Sequence, residues 1–417
     1  MEDALAYADY PLNCSWPDEA GLNASGGIGG YYGEDCAWPP PPRPYQLHWT
    51  IKLAWSLLYG LMLSVATVGN STVIWIVLAH RRMRTVTNYF LVNLSVADLL
   101  MALLNCAFNF AFMLNSDWPF GGVYCSASNF VANVTVASSA FTLAAISLDR
   151  YMAIVRPLQH RMTRRRALLA LLAVWVASAA LAGPCLVFST TVTRTYAGGE
   201  ESRICFLEWP DGHYPQSLTD YVYNVVFLCV TYLVPVTAMA VCYGLMGREL
   251  WGDRGIGEKT ARQQEAVRSK RKVVRMLVLV VAIFASCWLP YHAYFIYAYH
   301  DPAVASSWYV QHLYLGFYWL AMANAGVNPA IYYWMNNRFR LYFQRALCRL
   351  CCSCATAAKQ REAQMGLTYF RNTPHSNSET TRRMRASSAA LPWRRRTQET
   401  QLGRYSSGRA SAPGRVS

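Results

Sequence analysis

Seven apolar stretches run through the chain, near residues 50–78, 88–114, 123–155, 167–188, 218–247, 273–299 and 307–334. Each is long enough to cross a bilayer, which takes about 20 helical residues. Lipid offers no partner for a backbone N–H or C=O, so a spanning segment must satisfy its own groups and be helical. The constraint predicts an all-α fold, a seven-transmembrane-helix bundle over 50–335. Pro235, Pro290 and Pro329 fall inside spans, where bundled helices tolerate proline by bending. Composition agrees: 54% of the 417 residues are hydrophobic and 15% are charged, against about 25% charged in a soluble domain.

Lys and Arg orient the bundle. The segments 1–49, 115–122, 189–217 and 300–306 hold three, namely Arg43, Arg194 and Arg203, whereas 79–87, 156–166, 248–272 and 335–417 hold 32. Loops rich in Lys and Arg stay cytoplasmic. The N-terminus is thus predicted outside and the C-terminus inside, as a multi-pass plasma-membrane protein requires with an odd number of spans. The formal charge of +15 then belongs to the inner membrane surface, and nucleic acid is not an expected partner. The outer segments carry 13 Asp and Glu against three cations, a net of −10, a field that draws in cationic ligands. Residues 1–45 are acidic and rich in Gly and Pro, without the apolar core of a signal peptide. The first helix is therefore expected to act as its own insertion signal.

Residues 1–49 read as a disordered outer segment, with glycosylation sequons at Asn13 and Asn23. The same pattern at Asn70, Asn93 and Asn133 lies inside spans and reads as chance. Residues 336–347 alternate basic and apolar at helical spacing, which predicts a short amphipathic helix on the inner leaflet in contact with membrane lipids. Cys348, Cys351, Cys352 and Cys354 follow it and are palmitoylation candidates, with free thiols as the alternative. The tail, 348–417, is rich in Ser, Thr and Arg and reads as cytoplasmic and disordered.

Charged side chains inside a membrane helix are costly and are usually functional. Asp98 sits mid-span, and Asp149, Arg150 and Tyr151 close the third span on the inside. Asn324 and Asn328 share a face of the seventh. With Ser139, the residues Asp98, Asn324 and Asn328 compose either a chamber for a sodium ion or a hydrogen-bond network without one. In the outer half, Phe284, Trp288, His292 and Phe295 form one stripe of the sixth span, and Asn105 and Asn109 form another on the second. Aromatic stripes are ordinary packing in most helices. Joined to a histidine and two stacked asparagines, this one favours a ligand pocket. Cys125 and Cys205 both lie on the oxidising side, where a disulfide would tether the second outer loop; Cys14 and Cys36 are a second possible pair. No catalytic set, zinc-like spacing or phosphate loop is present, so neither an enzyme nor a cofactor is expected. The seventh span holds no Lys to carry retinal.

Together Asn70, Leu94 with Asp98, Asp149-Arg150-Tyr151, Trp175, Pro235, Cys287-Trp288-Leu289-Pro290 and Asn328-Pro329-Ala330-Ile331-Tyr332 resemble the rhodopsin-like G-protein-coupled receptors over about residues 50–350. The resemblance implies a heterotrimeric G protein, most simply of the Gq class, meeting Arg150, Pro157 and Leu158. It also implies arrestin and a receptor kinase as partners. Phe284, Trp288, Pro329 and Tyr332 would rearrange on activation. Within that family, Arg82 to Leu94, Glu208-Trp209-Pro210, Ser269 to Val274 and Tyr318 to Met322 resemble the tachykinin receptors. Asp117 to Gly121 and Leu250-Trp251-Gly252 are similar to the invertebrate branch, which implies a tachykinin-related or natalisin-like peptide ending in Arg-amide. Asn105, Asn109, His292 and Tyr314 match the peptide-pocket positions of that family, joined by Trp209, Asp220 and Phe295 as expected ligand contacts. The chain departs from the vertebrate pattern at Asp98, Ser128, Cys185 and Asn224, where Glu, His, Gln and His stand. An amine receptor would need an acid in the outer half of the third span, but Phe130 to Val134 has none. A transporter or channel would show repeats or broken helix pairs, and neither is visible.

Overall fold

A computed structural model of the protein describes residues 47–158, 162–196, 199–212, 214, 216–252, 260–301 and 309–350, with side chains to 346. The expectations for Asn13, Asn23, Cys14, Cys36, Cys351, Cys352 and Cys354 lie outside these residues, as do the side chain of Cys348 and the tail.

Seven long helices follow one another: α1 (Trp49–Ala79), α2 (Val86–Asn115), α3 (Gly121–Val155), α4 (Arg164–Phe188), α5 (Leu218–Trp251), α6 (Ala261–His300) and α7 (Val310–Met335). Helix α1 shows why they bundle. Tyr59, Met62, Ala66, Asn70, Val73, Ile76 and Val77 recur at three- and four-residue steps and are buried, while Leu57, Leu61, Val65 and Val68 face outward. A helix this apolar on its outward side is suited to lipid. Six of the seven, α1 to α6, are long and apolar enough to cross a membrane. Helix α7 has the length, roughly 39 Å at 1.5 Å per residue, but is less apolar. Its polar side chains turn inward instead: Tyr318, Asn324, Asn328 and Tyr332 are all buried.

Hydroxyl caps set several starts. Thr85 accepts from Asn88 N, Thr163 from Arg166 N, and Thr260 forms a reciprocal capping box with Gln263. The last of these explains a difference from the sequence expectation. Helix α6 begins at Ala261, twelve residues before 273, because a capped run of Gln, Arg and Lys is strongly helical without being apolar. A second difference is a two-stranded antiparallel hairpin, β1 (Ser189–Thr195) and β2 (Glu201–Leu207), paired from Ser189↔Leu207 to Thr195↔Glu201. The hairpin is an addition to the helical bundle: the run Thr190 to Thr195, β-branched except at Arg194, favours a strand.

Helix α8 (Asn337–Leu350) follows α7 after a single residue. It is amphipathic as expected, with Phe339 and Phe343 buried. Arg340 donates to the carbonyls of Tyr333 and Trp334 at 3.2 and 2.7 Å, satisfying the open end of α7.

Candidate ligand-binding site

Two helices depart from regular geometry where they border the bundle's interior. In α2, Ala102–Cys106 is a π-helical turn that carries Asn105, and in α5, Cys229–Leu233 is another, just before Pro235. Such turns rotate the side chains beyond them and are frequent at functional sites. Tyr124 donates to the carbonyl of Leu104 at 2.7 Å, and Tyr232 to that of Ala285 at 2.7 Å.

Above these turns lies a cavity of about 370 Å³. Asn105 and Asn109 of α2 line it, with Asn133 of α3, Cys185 of α4 and Asp220, Tyr223 and Asn224 of α5. Trp288, His292 and Phe295 of α6 and Tyr314 and Tyr318 of α7 complete the wall. The sequence stripe on α6 is thus divided. Phe284 is buried below, its ring 6.3 Å from that of Trp288, and does not line the cavity. Ile204 to Leu207 of the hairpin line it as well. The Cys125–Cys205 disulfide pins β2 to α3 with Cα atoms 5.7 Å apart, and Asn129 donates to Ser189 Oγ at 3.0 Å.

The acids Asp220, Asp117 and Glu208 take three different places. Asp220 lines the cavity; its Oδ1 accepts from Trp209 Nε1 at 2.8 Å and its Oδ2 from Asn224 at 3.1 Å. Trp209 itself is buried against Phe188 and Tyr223, so it meets the cavity through Asp220 rather than as a wall. Asp117 accepts from Arg203 N at 2.9 Å and anchors the hairpin. Glu208 is exposed. Beside them Asp211 caps α5. It accepts from Ser217 Oγ at 2.7 Å and from Thr219 N and Oγ1 at 2.8 and 2.9 Å, and these bonds hold its carboxyl down to about 2.

Below the cavity runs a polar core. Asp98 accepts from Asn328 Nδ2 at 2.9 Å and Ser139 Oγ at 3.4 Å. Asn324 Oδ1 is buried and receives no hydrogen bond from a described residue, and the buried Trp288 indole N–H and Tyr332 hydroxyl donate none to one. Oxygen donors with an unpaired amide oxygen among them fit a small hard cation. Asn70, Asn93 and Asn133 use their amides inside the bundle, on Ala325 O, Thr142 Oγ1 and Asn129 O, which leaves no room for a glycan. At the far end Arg150 pairs with Asp149, which also accepts from Thr87. Pro157 and Leu158 are exposed just beyond α3.

The sequence reading named the stacked asparagines and the histidine but not Tyr318 as a site residue. Its signal was present: Tyr318 follows Tyr314 by four residues and so shares its face of α7.

Residues 69–332 match the family described as the 7 transmembrane receptor (rhodopsin family). The chain belongs to that rhodopsin family. It is therefore a membrane receptor of the G-protein-coupled kind and not an enzyme. It is 55% identical over 372 residues to tachykinin-like peptides receptor 86C of Drosophila melanogaster, covering 88% of this chain and 71% of that one. It is 48% identical over 300 residues to the fly tachykinin-like peptides receptor 99D, covering 72% of this chain and 58% of that one. To the human neuromedin-K receptor it is 38% identical over 356 residues, covering 84% and 74%. Within the family it is tachykinin-like, and the higher identity to the fly receptors agrees with the invertebrate-type resemblance of its motifs.

Proposed function

We propose that this receptor binds an amidated neuropeptide of the tachykinin-related type at the outer face of the plasma membrane, with its C-terminal tail in the cytoplasm. The peptide's C-terminal amide sits between Asn105, Asn109, His292 and Tyr314, near Phe295. The observation that carries the reading is the division of polarity in the cavity: neutral amide and imidazole groups line its α2 and α6 walls, and the carboxylate of Asp220 stands on α5 beside Trp209. A peptide ending in Arg-amide matches both, the guanidinium pairing with Asp220. Bound peptide couples through Trp288, Phe284, Pro329 and Tyr332 to Arg150, Pro157 and Leu158, which meet a Gq-class G protein and raise calcium. Asp98, Ser139, Asn324 and Asn328 hold a sodium ion that favours the resting state. Glycans on Asn13 and Asn23, palmitate on Cys348, Cys351, Cys352 or Cys354, and a receptor kinase and arrestin acting on the tail complete the proposal.

The test pairs wild type and Asp220→Asn with peptides that differ only in ending in Arg-amide or Met-amide, read by calcium in cells. Wild type is expected to prefer Arg-amide. Asp220→Asn is expected to weaken Arg-amide by about 2–5 kcal/mol and Met-amide much less. A wild-type preference for Met-amide sinks the cationic ligand, and an equal loss for both peptides removes Asp220 from the site.

A further inference from the structure

The first turns of α6 carry charge and apolar surface on different sides. Val274, Leu277, Val281 and Phe284 recur at three- and four-residue steps and are buried in the bundle. Arg268, Arg271, Lys272 and Arg275 recur at similar steps on the side turned away from it; Arg268, Lys272 and Arg275 are exposed and Arg271 is half-buried. One turn further on, that outward side continues as Val278 and Leu279, which are 42% and 41% exposed. The same strip of helix is thus basic at first and then apolar.

The cations are held by partners that do not neutralise them. Arg271 donates from Nε and Nη2 to the carbonyl of Leu250 at 2.9 and 2.6 Å. The guanidinium groups of Arg271 and Arg275 lie over the ring of Trp251. Lys272 Nζ donates to Asn337 Oδ1 of α8 at 3.0 Å. A carbonyl, an indole and an amide fix the direction of a cation and leave its full charge in place. With Met335 the four cations border a cavity of about 910 Å³, where Glu265 is the one acid among the described residues of the wall.

We propose that this cavity holds the phosphorylated headgroup of an anionic lipid, whose acyl chains lie along Val278 and Leu279. The charge selects an anion, and arginines grouped together favour phosphate, whose oxygens the guanidinium fork meets two at a time. The exposed apolar turn beyond them selects an amphiphile, since an acidic protein segment would find no polar partner there. The cytoplasmic leaflet is the anionic one, and the distribution of Lys and Arg puts this end of α6 against it. The proposal rests on that orientation. The site shares no residue with the peptide cavity.

The test uses the full-length receptor purified in neutral detergent micelles, with a fluorescent bisphosphorylated phosphatidylinositol as the probe. Micelles have no inner or outer side, so the result does not depend on the orientation, which antibody access to a tag on the tail of intact cells checks separately. Each Lys or Arg close to an anionic headgroup contributes about fivefold in affinity. Arg268→Gln combined with Lys272→Gln and Arg275→Gln should therefore weaken the probe at least about tenfold. Removing as many charges from the first turn of α4, by Arg164→Gln, Arg165→Gln and Arg166→Gln, should change it less than about twofold. Phosphatidylserine, with a less charged headgroup, and soluble inositol trisphosphate, without acyl chains, should each compete at least about tenfold less well than the unlabelled probe lipid. If the triple α6 variant lowers the thermal midpoint, Arg268→Gln alone takes its place, with an expected loss of about fivefold. Unchanged affinity in the α6 variant, or equal losses in the α6 and α4 variants, overturn the proposal. So does inositol trisphosphate competing as well as the lipid, because the ligand would then be a free phosphate, or phosphatidylserine doing so, because the attraction would then be diffuse.

Discussion

Gly69 of α1 faces Pro329 of α7, and a Cβ built there would lie 2.9 Å from both Cβ and Cγ of the proline ring. The ring is stiff and cannot give way as a flexible side chain would. Gly69→Ala is therefore expected to destabilise the receptor by about 1–3 kcal/mol, the usual cost of overpacking. Thermal unfolding in detergent, followed by fluorescence, should show a lower midpoint; an unchanged midpoint would mean that α1 and α7 are not closely packed at this residue. Cys205 is tested differently. Its disulfide closes a loop of 80 residues, nominally about 4.5 kcal/mol of chain entropy. Cys205→Ser should reach the cell surface at reduced level and lose high-affinity peptide binding, and normal binding would show that the hairpin holds its place unaided. Asp211 gives a pH expectation. Its folded carboxyl titrates at about 2, below the ordinary value of about 3.9. Its hold on α5 is complete above that ordinary value and is lost only as pH falls toward 2. Peptide binding by wild type and Asp211→Asn should then change in parallel between pH 7.4 and pH 5.5.

The ends of α5 and α6 show a clasp at the element scale. Arg271 of α6 donates through Nε and Nη2 to Leu250 O at 2.9 and 2.6 Å, closing the last turn of α5. The guanidinium groups of Arg271 and Arg275 lie 5.4 and 5.5 Å from the Trp251 ring. Two exposed cation–π contacts are worth about 0.5–1 kcal/mol each. Trp251→Ala should therefore raise hydrogen exchange in the last turn of α5 by about five- to thirtyfold. Unchanged protection there would remove Trp251 from the clasp. This clasp also marks how far the sequence was legible. The seven spans, their order and α8 were readable because burial in lipid leaves an apolar record about 20 residues long. The early start of α6 was not, since Arg262 to Lys272 form a helix through capping and propensity and leave no apolar stripe. The hairpin left only the short β-branched run Thr190 to Thr195. In the cavity, Asn105, Asn109 and His292 stood out by residue type at helical spacing, and Tyr314 through the family resemblance alone. Tyr318 carried the same kind of signal, four residues after Tyr314, whereas Trp209 could not be sorted that way, because its role depends on Asp220, 11 residues distant.

Across the whole molecule, the same charges that orient the chain act on what approaches it. On the proposed orientation the outer segments sum to −10 and the inner segments hold 32 Lys and Arg. A cationic peptide arriving at the first face is attracted before it makes contact, and the attraction extends about one Debye length, roughly 8 Å at physiological salt. This long-range pull acts on the rate of encounter, whereas contacts inside the cavity govern how long the peptide stays. The two can be separated by salt. Raising ionic strength from about 0.05 to 0.5 M should slow association of an Arg-amide peptide about tenfold, within the range that electrostatic steering spans. Its dissociation rate should move far less, and a peptide of equal length without net charge should associate at nearly constant rate. Kinetics on receptor-bearing membranes measure both rates directly. If the charged and neutral peptides slow alike, the acidic face does not steer the ligand. Selectivity for the cationic end would then rest on the short-range pairing at Asp220, beside the indole of Trp209.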